Sequence, residues 1–288
     1  MVGIIQEYAE QNNIDYRLVN KKSILDTDPS SLSVDLLVAV SFGLFIPPDL
    51  IRAVPSSINV HPSLLPQYRG PAPIHNAIFN GDESTGVSVQ TISPEAFDRG
   101  IVFAQSAPVP VGEEDTLTQL WDRLARIGAD MLVDCIRKRT YLNPEPIEPT
   151  TKASYAGPIN KNIDWHTMTA DQAVRLGRIL NPLTGAVTFK DGRRKDIVVS
   201  GIHHRDPGGG KLVPGSFFLA RYWKTGDQRM VVVCCDGTTV WVDKVKVGGK
   251  VWISGQDFVA SASDRFWGNR FVPWRREFDD HDPKEFEY

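Results

Sequence analysis

Two short apolar runs constrain the fold of this chain most strongly: Asp35-Leu-Leu-Val-Ala-Val, and Ser57-Ile-Asn-Val-His just behind Pro55. Runs so short and continuous suit central strands of a parallel sheet, and parallel strands require crossover segments that cover the sheet faces. The rest of the first half supplies them. Apolar spacing predicts a helix over residues 3–11, and alternation predicts a strand over 14–19. A helix is expected over 71–80 and strands over 86–92 and 101–109. A long amphipathic helix is expected over 116–139, with Leu117, Leu120, Leu124, Ile127, Met131 and Ile136 turned inward. Strands and helices in this order indicate an α/β fold.

The second half reads differently. Pro144, Pro146, Pro149 and Pro158 crowd one stretch, the composition of an extended linker. After a short helical segment at 169–180, short apolar runs over 186–189, 197–202, 215–220, 230–234 and 238–245 are separated by glycines, the pattern of a small β-barrel. The expected organisation is an α/β domain over 1–142, a linker over 143–160, a barrel over 161–276 and an acidic tail over 277–288. Charge follows these boundaries: residues 186–276 carry 16 Lys and Arg against 8 Asp and Glu, net +8, in a chain of formal charge −3. Such a segment is the footprint of a polyanion-binding surface, and equally of a solvated basic face.

Other features narrow the class. Three cysteines, two of them the adjacent Cys234 and Cys235, form neither a disulfide framework nor a metal-ligand spacing, which points to a reducing compartment. No run approaches the roughly 18 apolar residues that a membrane-spanning helix needs, so a soluble chain is expected. The opening MVGIIQEYAEQNN has neither the layout of a signal peptide nor that of an Arg-rich transit sequence.

The densest chemistry lies over residues 57–75, Ser-Ile-Asn-Val-His-Pro-Ser-Leu-Leu-Pro-Gln-Tyr-Arg-Gly-Pro-Ala-Pro-Ile-His. Side chains two apart on a strand share a face, so Asn59 and His61 project together at the strand's C-terminal end, where open α/β sheets place ligands. Alone, the pair would serve as well to cap a strand before a proline turn. Asp98 follows in the loop Glu95-Ala-Phe-Asp-Arg-Gly, where Asp two residues before Gly is ordinary turn chemistry. Taken together, Asn-X-His-Pro-Ser-Leu-Leu-Pro, Arg-Gly, and Asp-X-Gly about 30 residues later resemble the folate-dependent formyltransferase family, strongly over residues 35–140.

The resemblance implies a Rossmann-like formyltransferase domain with a parallel sheet, followed by a small OB-like β-barrel. It implies 10-formyltetrahydrofolate as co-substrate and no metal, the formyl group passing from N10 to an amine through a tetrahedral intermediate. Asn59 and a protonated His61 would donate to the oxyanion, and Asp98 would pair with the imidazole and relay the proton lost by the amine. Phe42, Gly43, Leu44, Phe45 and Ile46 would present backbone and apolar surface to the pterin, with Ser63, Leu64, Leu65 and Pro66 as the adjoining wall.

Four segments resemble the branch of the family that formylates initiator methionyl-tRNA: Arg69-Gly-Pro-Ala-Pro-Ile, Lys161-Asn-Ile-Asp-Trp, Asn181-Pro-Leu-Thr-Gly-Ala and Lys250-Val-Trp-Ile-Ser-Gly-Gln-Asp-Phe. That branch implies a monomer, away from membranes, whose basic barrel holds tRNA phosphates through Arg193, Arg194, Lys195, Lys244, Lys246 and Lys250. A sugar amino-formyltransferase and a catalytically silent tRNA-binding relative are the alternatives.

The chain also departs from the family. Members open with a strand, a Gly-containing turn, a helix, a second strand and a basic loop, and residues 1–11 match the helix that follows these. The expectation is an N-terminally incomplete sheet in which residues 34–40 expose an apolar face and an unpaired edge. Phe97 and Arg99 stand beside the carboxylate where Leu and Thr are usual. The variations Arg69-Gly-Pro-Ala-Pro and Phe97-Asp98 look eukaryotic and imply the mitochondrial matrix, although no targeting segment is visible.

Overall fold

The two apolar runs become neighbouring parallel strands, β1 (Leu37–Val40) and β2 (Ser57–His61), in a computed structural model. It describes residues 4–31, 33–189, 193–205, 212–221, 225–262 and 266–271, so the expected acidic tail lies outside the described residues. Helices α1 (Ile4–Gln11) and α2 (Lys21–Leu25) precede β1, and α3 (Pro48–Arg52) links it to β2. Next comes α4 (Pro73–Asn80), opened by a proline in its first turn and stopped by Gly81 at a φ of 72°. β3 (Ser84–Thr85), β4 (Ser88–Thr91), β5 (Val102–Gln105), β6 (Val109–Pro110) and α5 (Leu117–Lys138) complete the first half.

The chain divides into two compact units, one of Met1–Arg69, Val87–Ser106 and Gly128–Ala153, the other of Gly70–Gly86, Ala107–Ile127 and Ser154–Tyr288. One crossing, at 153 to 154, falls inside the expected linker. The first unit holds a four-stranded sheet in the order β1-β2-β4-β5, parallel at β1–β2 and antiparallel at the other two pairings. Strand alternation separates its faces. Ile58, Val60 and Val89 form the apolar row, each at most 9% exposed, and α5 lies so close that a Cβ at Gly128 would come within 3.0 Å of Val60 Cγ1. Among the described residues β1 is an edge strand, and its Val38 and Val40 are 39% and 48% exposed.

Three expectations need correction. Residues 14–19 form no strand; Ile14, Tyr16 and Leu18 are exposed, and alternation without a partner strand gives the backbone no ladder to join. The single strand expected over 101–109 is broken by Pro108 into β5 and β6, and β6 pairs with β3 instead of with the main sheet. On α5, Leu120, Leu124 and Cys135 are buried while Ile136 is exposed. At 100° per residue, position 136 lies about 160° around the helix from Leu120, whereas 135 shares its stripe.

In the second unit, α6 (Ala170–Ile179) is opened by a capping box between Thr169 and Gln172. The strands are β7 (Leu183–Phe189), β8 (Arg194–His204), β9 (Phe217–Arg221), β10 (Gln228–Val233), β11 (Thr239–Val247), β12 (Ile253–Ser254) and β13 (Phe266–Phe271), with α7 (Gly255–Ala262) before the last. They are ordered β13-β7-β8-β11-β10-β9, with β12 on β11, and the end strands β13 and β9 meet, which curls the sheet on itself as a barrel. Trp165, Leu176, Val187, Ile197, Met230, Val232, Val242 and Phe258 fill the interior.

Two local arrangements give stability predictions. Asp115, just before α5, accepts from Arg123 (Nη1 to Oδ1, 3.2 Å) and from the Gly112 N–H (2.7 Å). The guanidinium is the main reason its carboxyl sits below the ordinary 3.8. A carboxylate with a depressed folded pKa contributes stability above its unfolded value and loses it as pH falls through the folded one. Asp115→Asn is therefore expected to lower the urea midpoint at pH 6, with the deficit vanishing as pH falls below 3.8. Gly100, in the β4–β5 connection, has no room for a side chain, since a Cβ would lie 1.7 Å from the Thr91 carbonyl oxygen. Gly100→Ala is expected to destabilise the chain by about 1–3 kcal/mol, read from urea unfolding.

Candidate active site

The apolar row on one face of the first sheet leaves a polar row on the other. In the antiparallel register of β2 and β4, Asn59 stands opposite Gln90 and His61 opposite Ser88, so four polar side chains share one face. Gln90 and Ser88 are 1% and 0% exposed and His61 is 5%. The β4–β5 connection then brings Asp98 back over this row. Asp98 takes a left-handed φ of 51°, which Asp tolerates better than most residues, and two contacts hold its loop. Arg69 Nε donates to the Asp98 carbonyl at 2.9 Å, and the Ile101 N–H donates to Thr91 Oγ1 at 2.9 Å.

Three nitrogens converge on one oxygen, Asp98 Oδ1: Gln90 Nε2 at 2.9 Å, Asn59 Nδ2 at 3.3 Å and His61 Nδ1 at 3.4 Å. The other ring nitrogen of His61, Nε2, lies 2.8 Å from the Tyr68 carbonyl. Both nitrogens thus face oxygen acceptors. The structure therefore brings Asn59, His61 and Asp98 together, with the Asp98 and His61 side chains only 9% and 6% exposed.

The two segments expected to meet the pterin are placed differently from one another. Phe42 is exposed, a Cβ at Gly43 would meet nothing within 4 Å, and Leu44, Phe45 and Ile46 are half-buried. Phe45 packs edge-on against Phe97 with ring centroids 5.2 Å apart, so this loop touches the Asp98 loop. Ser63, Leu64 and Leu65 instead pack inward at 0%, 7% and 2% exposure, with Pro66 half-buried behind a cis bond. Their polar groups are engaged internally: Ser63 Oγ donates to the Gln67 carbonyl (2.6 Å), the Leu65 N–H to Ser88 Oγ (3.0 Å), and Thr151 Oγ1 to the Leu64 carbonyl (2.7 Å).

The basic candidates gather at one end of the barrel. Arg193 precedes β8, Arg194 and Lys195 open it, and the register that pairs Lys246 with Val198 brings the end of β11 beside them. The Gly248 N–H donates to the Asp196 carbonyl (3.2 Å), and the Lys195 side chain runs close to Gly248. Lys250 follows in the same turn, and Lys244 lies two residues before Lys246. Trp252, 38% exposed just beyond Lys250, joins this end without having been singled out from sequence. Among the described residues no cluster of three or more His, Cys, Asp or Glu is placed to hold a metal ion.

Sequence reasoning also missed Gln90, Arg69 and the Tyr68 carbonyl. Gln90 carried one signal, an amide inside a strand whose neighbours Val89 and Val87 are buried and apolar.

Residues 1–136 match the formyl transferase family and residues 158–263 match the formyl transferase C-terminal domain. A mitochondrial methionyl-tRNA formyltransferase of Saccharomyces cerevisiae is 37% identical over 55% of this chain, which spans 45% of the yeast protein. A methionyl-tRNA formyltransferase of Heliobacterium modesticaldum is 34% identical over 78% of this chain and 72% of its own length. HypX from Aquifex aeolicus, solved with tetrahydrofolic acid, shares the fold at a TM-score of 0.53 and 17% identity, covering 79% of this chain and 38% of that one. The two matched domains, the bacterial relative covered over most of its length, and the Asn59, His61 and Asp98 cluster agree: this chain belongs to the methionyl-tRNA formyltransferase family.

Proposed function

We propose that this chain transfers the formyl group of 10-formyltetrahydrofolate to the amino group of initiator methionyl-tRNA. The observation that carries the reading is the convergence of Asn59 and His61 on a nearly buried Asp98 at the end of β2. Asn59 has two amide hydrogens; one meets Asp98 and the other serves the formyl oxygen as it becomes an oxyanion. His61 has committed Nε2 to the Tyr68 carbonyl, so Nδ1–H, between Asp98 and the reacting group, is its working donor. As the amine nitrogen bonds to the formyl carbon it loses a proton to Asp98, which returns it to N10 as the carbon–N10 bond breaks. Pterin binding is assigned to the loop of Phe42 to Ile46, with Ser63, Leu64, Leu65 and Pro66 as the adjoining wall.

The tRNA is assigned to the basic end of the barrel, where Arg193, Arg194, Lys195, Lys244, Lys246 and Lys250 gather within a segment of net +8. The mitochondrial matrix is the proposed location, on the strength of the yeast relative and of the residues around Asp98.

The deciding experiment offers 10-formyltetrahydrofolate with methionyl-tRNA, a UDP-linked amino sugar and glycinamide ribonucleotide in parallel. Formylation of methionyl-tRNA alone is the expected result; formylation of the sugar alone would redirect the function, and binding without transfer would leave a silent relative. His61→Ala removes a preorganised donor and is expected to lower kcat by about 10²–10³-fold while the circular dichroism spectrum is unchanged. Lys246→Glu with Lys250→Glu is expected to weaken tRNA binding and to flatten the dependence of log K on log salt by roughly one for each phosphate that the barrel no longer neutralises. An unchanged salt slope would move the tRNA off this surface.

A further inference from the structure

Of the three nitrogens described at the Asp98 carboxylate, that of Gln90 lies nearest, and nothing in the formyl-transfer reading accounts for it. It lies directly across from Asn59 in the β2–β4 register and is 1% exposed. Its Nε2 lies 2.9 Å from Asp98 Oδ1, nearer than either Asn59 or His61. A carboxylate at that distance only accepts, so the amide nitrogen must be the end that faces it. The other end, Oε1, is buried with no hydrogen-bond partner among the described residues. A buried acceptor left unmatched works against folding, and methionine would fill a similar volume without it. The bond to Asp98 is therefore what an amide at this position achieves.

Two of the contacts described above fix the Asp98 backbone: Arg69 holds its carbonyl and Gly100 presses the loop onto Thr91. Neither fixes rotation of the carboxylate about its side-chain bonds. We propose that Gln90 is a positioning residue that holds Oδ1 of Asp98 between Asn59 and His61, and so governs proton transfer during turnover rather than the binding of either substrate. The kinetic half of this proposal rests on the formyl-transfer reading. The structural half, that Gln90 orients Asp98 against His61, does not.

The test uses the full chain with Gln90→Met, which keeps the length and removes the donor, and Gln90→Glu, which keeps the shape and sets a second carboxylate against Asp98. Gln90→Met is expected to lower kcat about tenfold with KM for 10-formyltetrahydrofolate and for methionyl-tRNA within roughly twofold, and Gln90→Glu to lower kcat further. In an Asp98→Asn background the same Gln90→Met change is expected to alter kcat by less than about twofold, because the carboxylate it serves is gone. An equal further loss in that background, or KM effects that exceed the kcat effect, would overturn the assignment. The His61 ring signals of ¹⁵N-histidine-labelled protein give a readout that needs no activity: they are expected to move in both variants. Unmoved signals would overturn the proposal even in an active enzyme. Moved signals in a chain that transfers no formyl group would uphold the structural half while the reading of function failed. Should Gln90→Met not fold, Gln90→Glu carries both measurements.

Discussion

The meeting of three side-chain nitrogens at Asp98 Oδ1 depends on one feature of the fold, the register between β2 and β4. In that register Asn59 faces Gln90 and His61 faces Ser88, so every polar side chain of the site stands on one face and every apolar one on the other. A slip by one residue would turn Gln90 and Ser88 into the apolar layer and set Val89 against Asp98. Several bonds resist the slip. Ser88 Oγ accepts from the Leu65 N–H and from Gln105 Nε2 and donates to the Ser63 carbonyl, which ties β4 to β5 and to the segment after His61 in one buried node. Buried hydrogen-bond nodes of this kind fix one arrangement because each alternative strands a polar group away from water.

The weakest part of the same sheet is its β1 edge. Among the described residues β1 pairs only with β2, and Val38 and Val40 remain half in water on the face where Ile58 and Val60 are covered. The catalytic candidates sit on β2 and on the β4–β5 connection, one or more strands in. The loop proposed for the pterin, by contrast, begins at Ser41, directly after β1. Local opening of an edge strand reaches the segment continuous with it first, so fraying of β1 disturbs the pterin loop before it disturbs Asn59, His61 and Asp98. The fold thus separates the loop proposed for the co-substrate from the elements proposed to align the reacting groups, and places the less secure support under the former.

Much of this was legible in the sequence, and the limits of that legibility are physical. Asn59 and His61 could be paired from sequence because a strand's period of two is a local property. Asp98 required resemblance, because nothing local separates a loop carboxylate that forms a turn from one that meets a histidine 37 positions away. Gln90 showed only as an amide inside an apolar strand, since its role exists only once two strands are in register. The failed strand over 14–19 teaches the same lesson from the other side: Ile14, Tyr16 and Leu18 alternate faultlessly, but alternation describes one strand and a ladder needs two. Where the error was local it was also avoidable, since Ile136 could have been placed off the buried stripe of α5 by angle alone.

The two halves of the chain rest their proposed roles on different physics. The barrel's contribution is charge, and attraction to phosphates is long-ranged, roughly additive and screened by salt, so its footprint could be counted along the sequence as a net +8 without knowing where any lysine points. The first unit's contribution is geometry within a few ångströms, where interactions are not additive and a donor displaced by about 1 Å no longer serves. Composition can therefore announce a polyanion-binding surface, but an active site becomes visible only through the bonds that hold it, and here those bonds run through Gln90, Arg69 and Ser88, residues whose own chemistry is unremarkable away from this register.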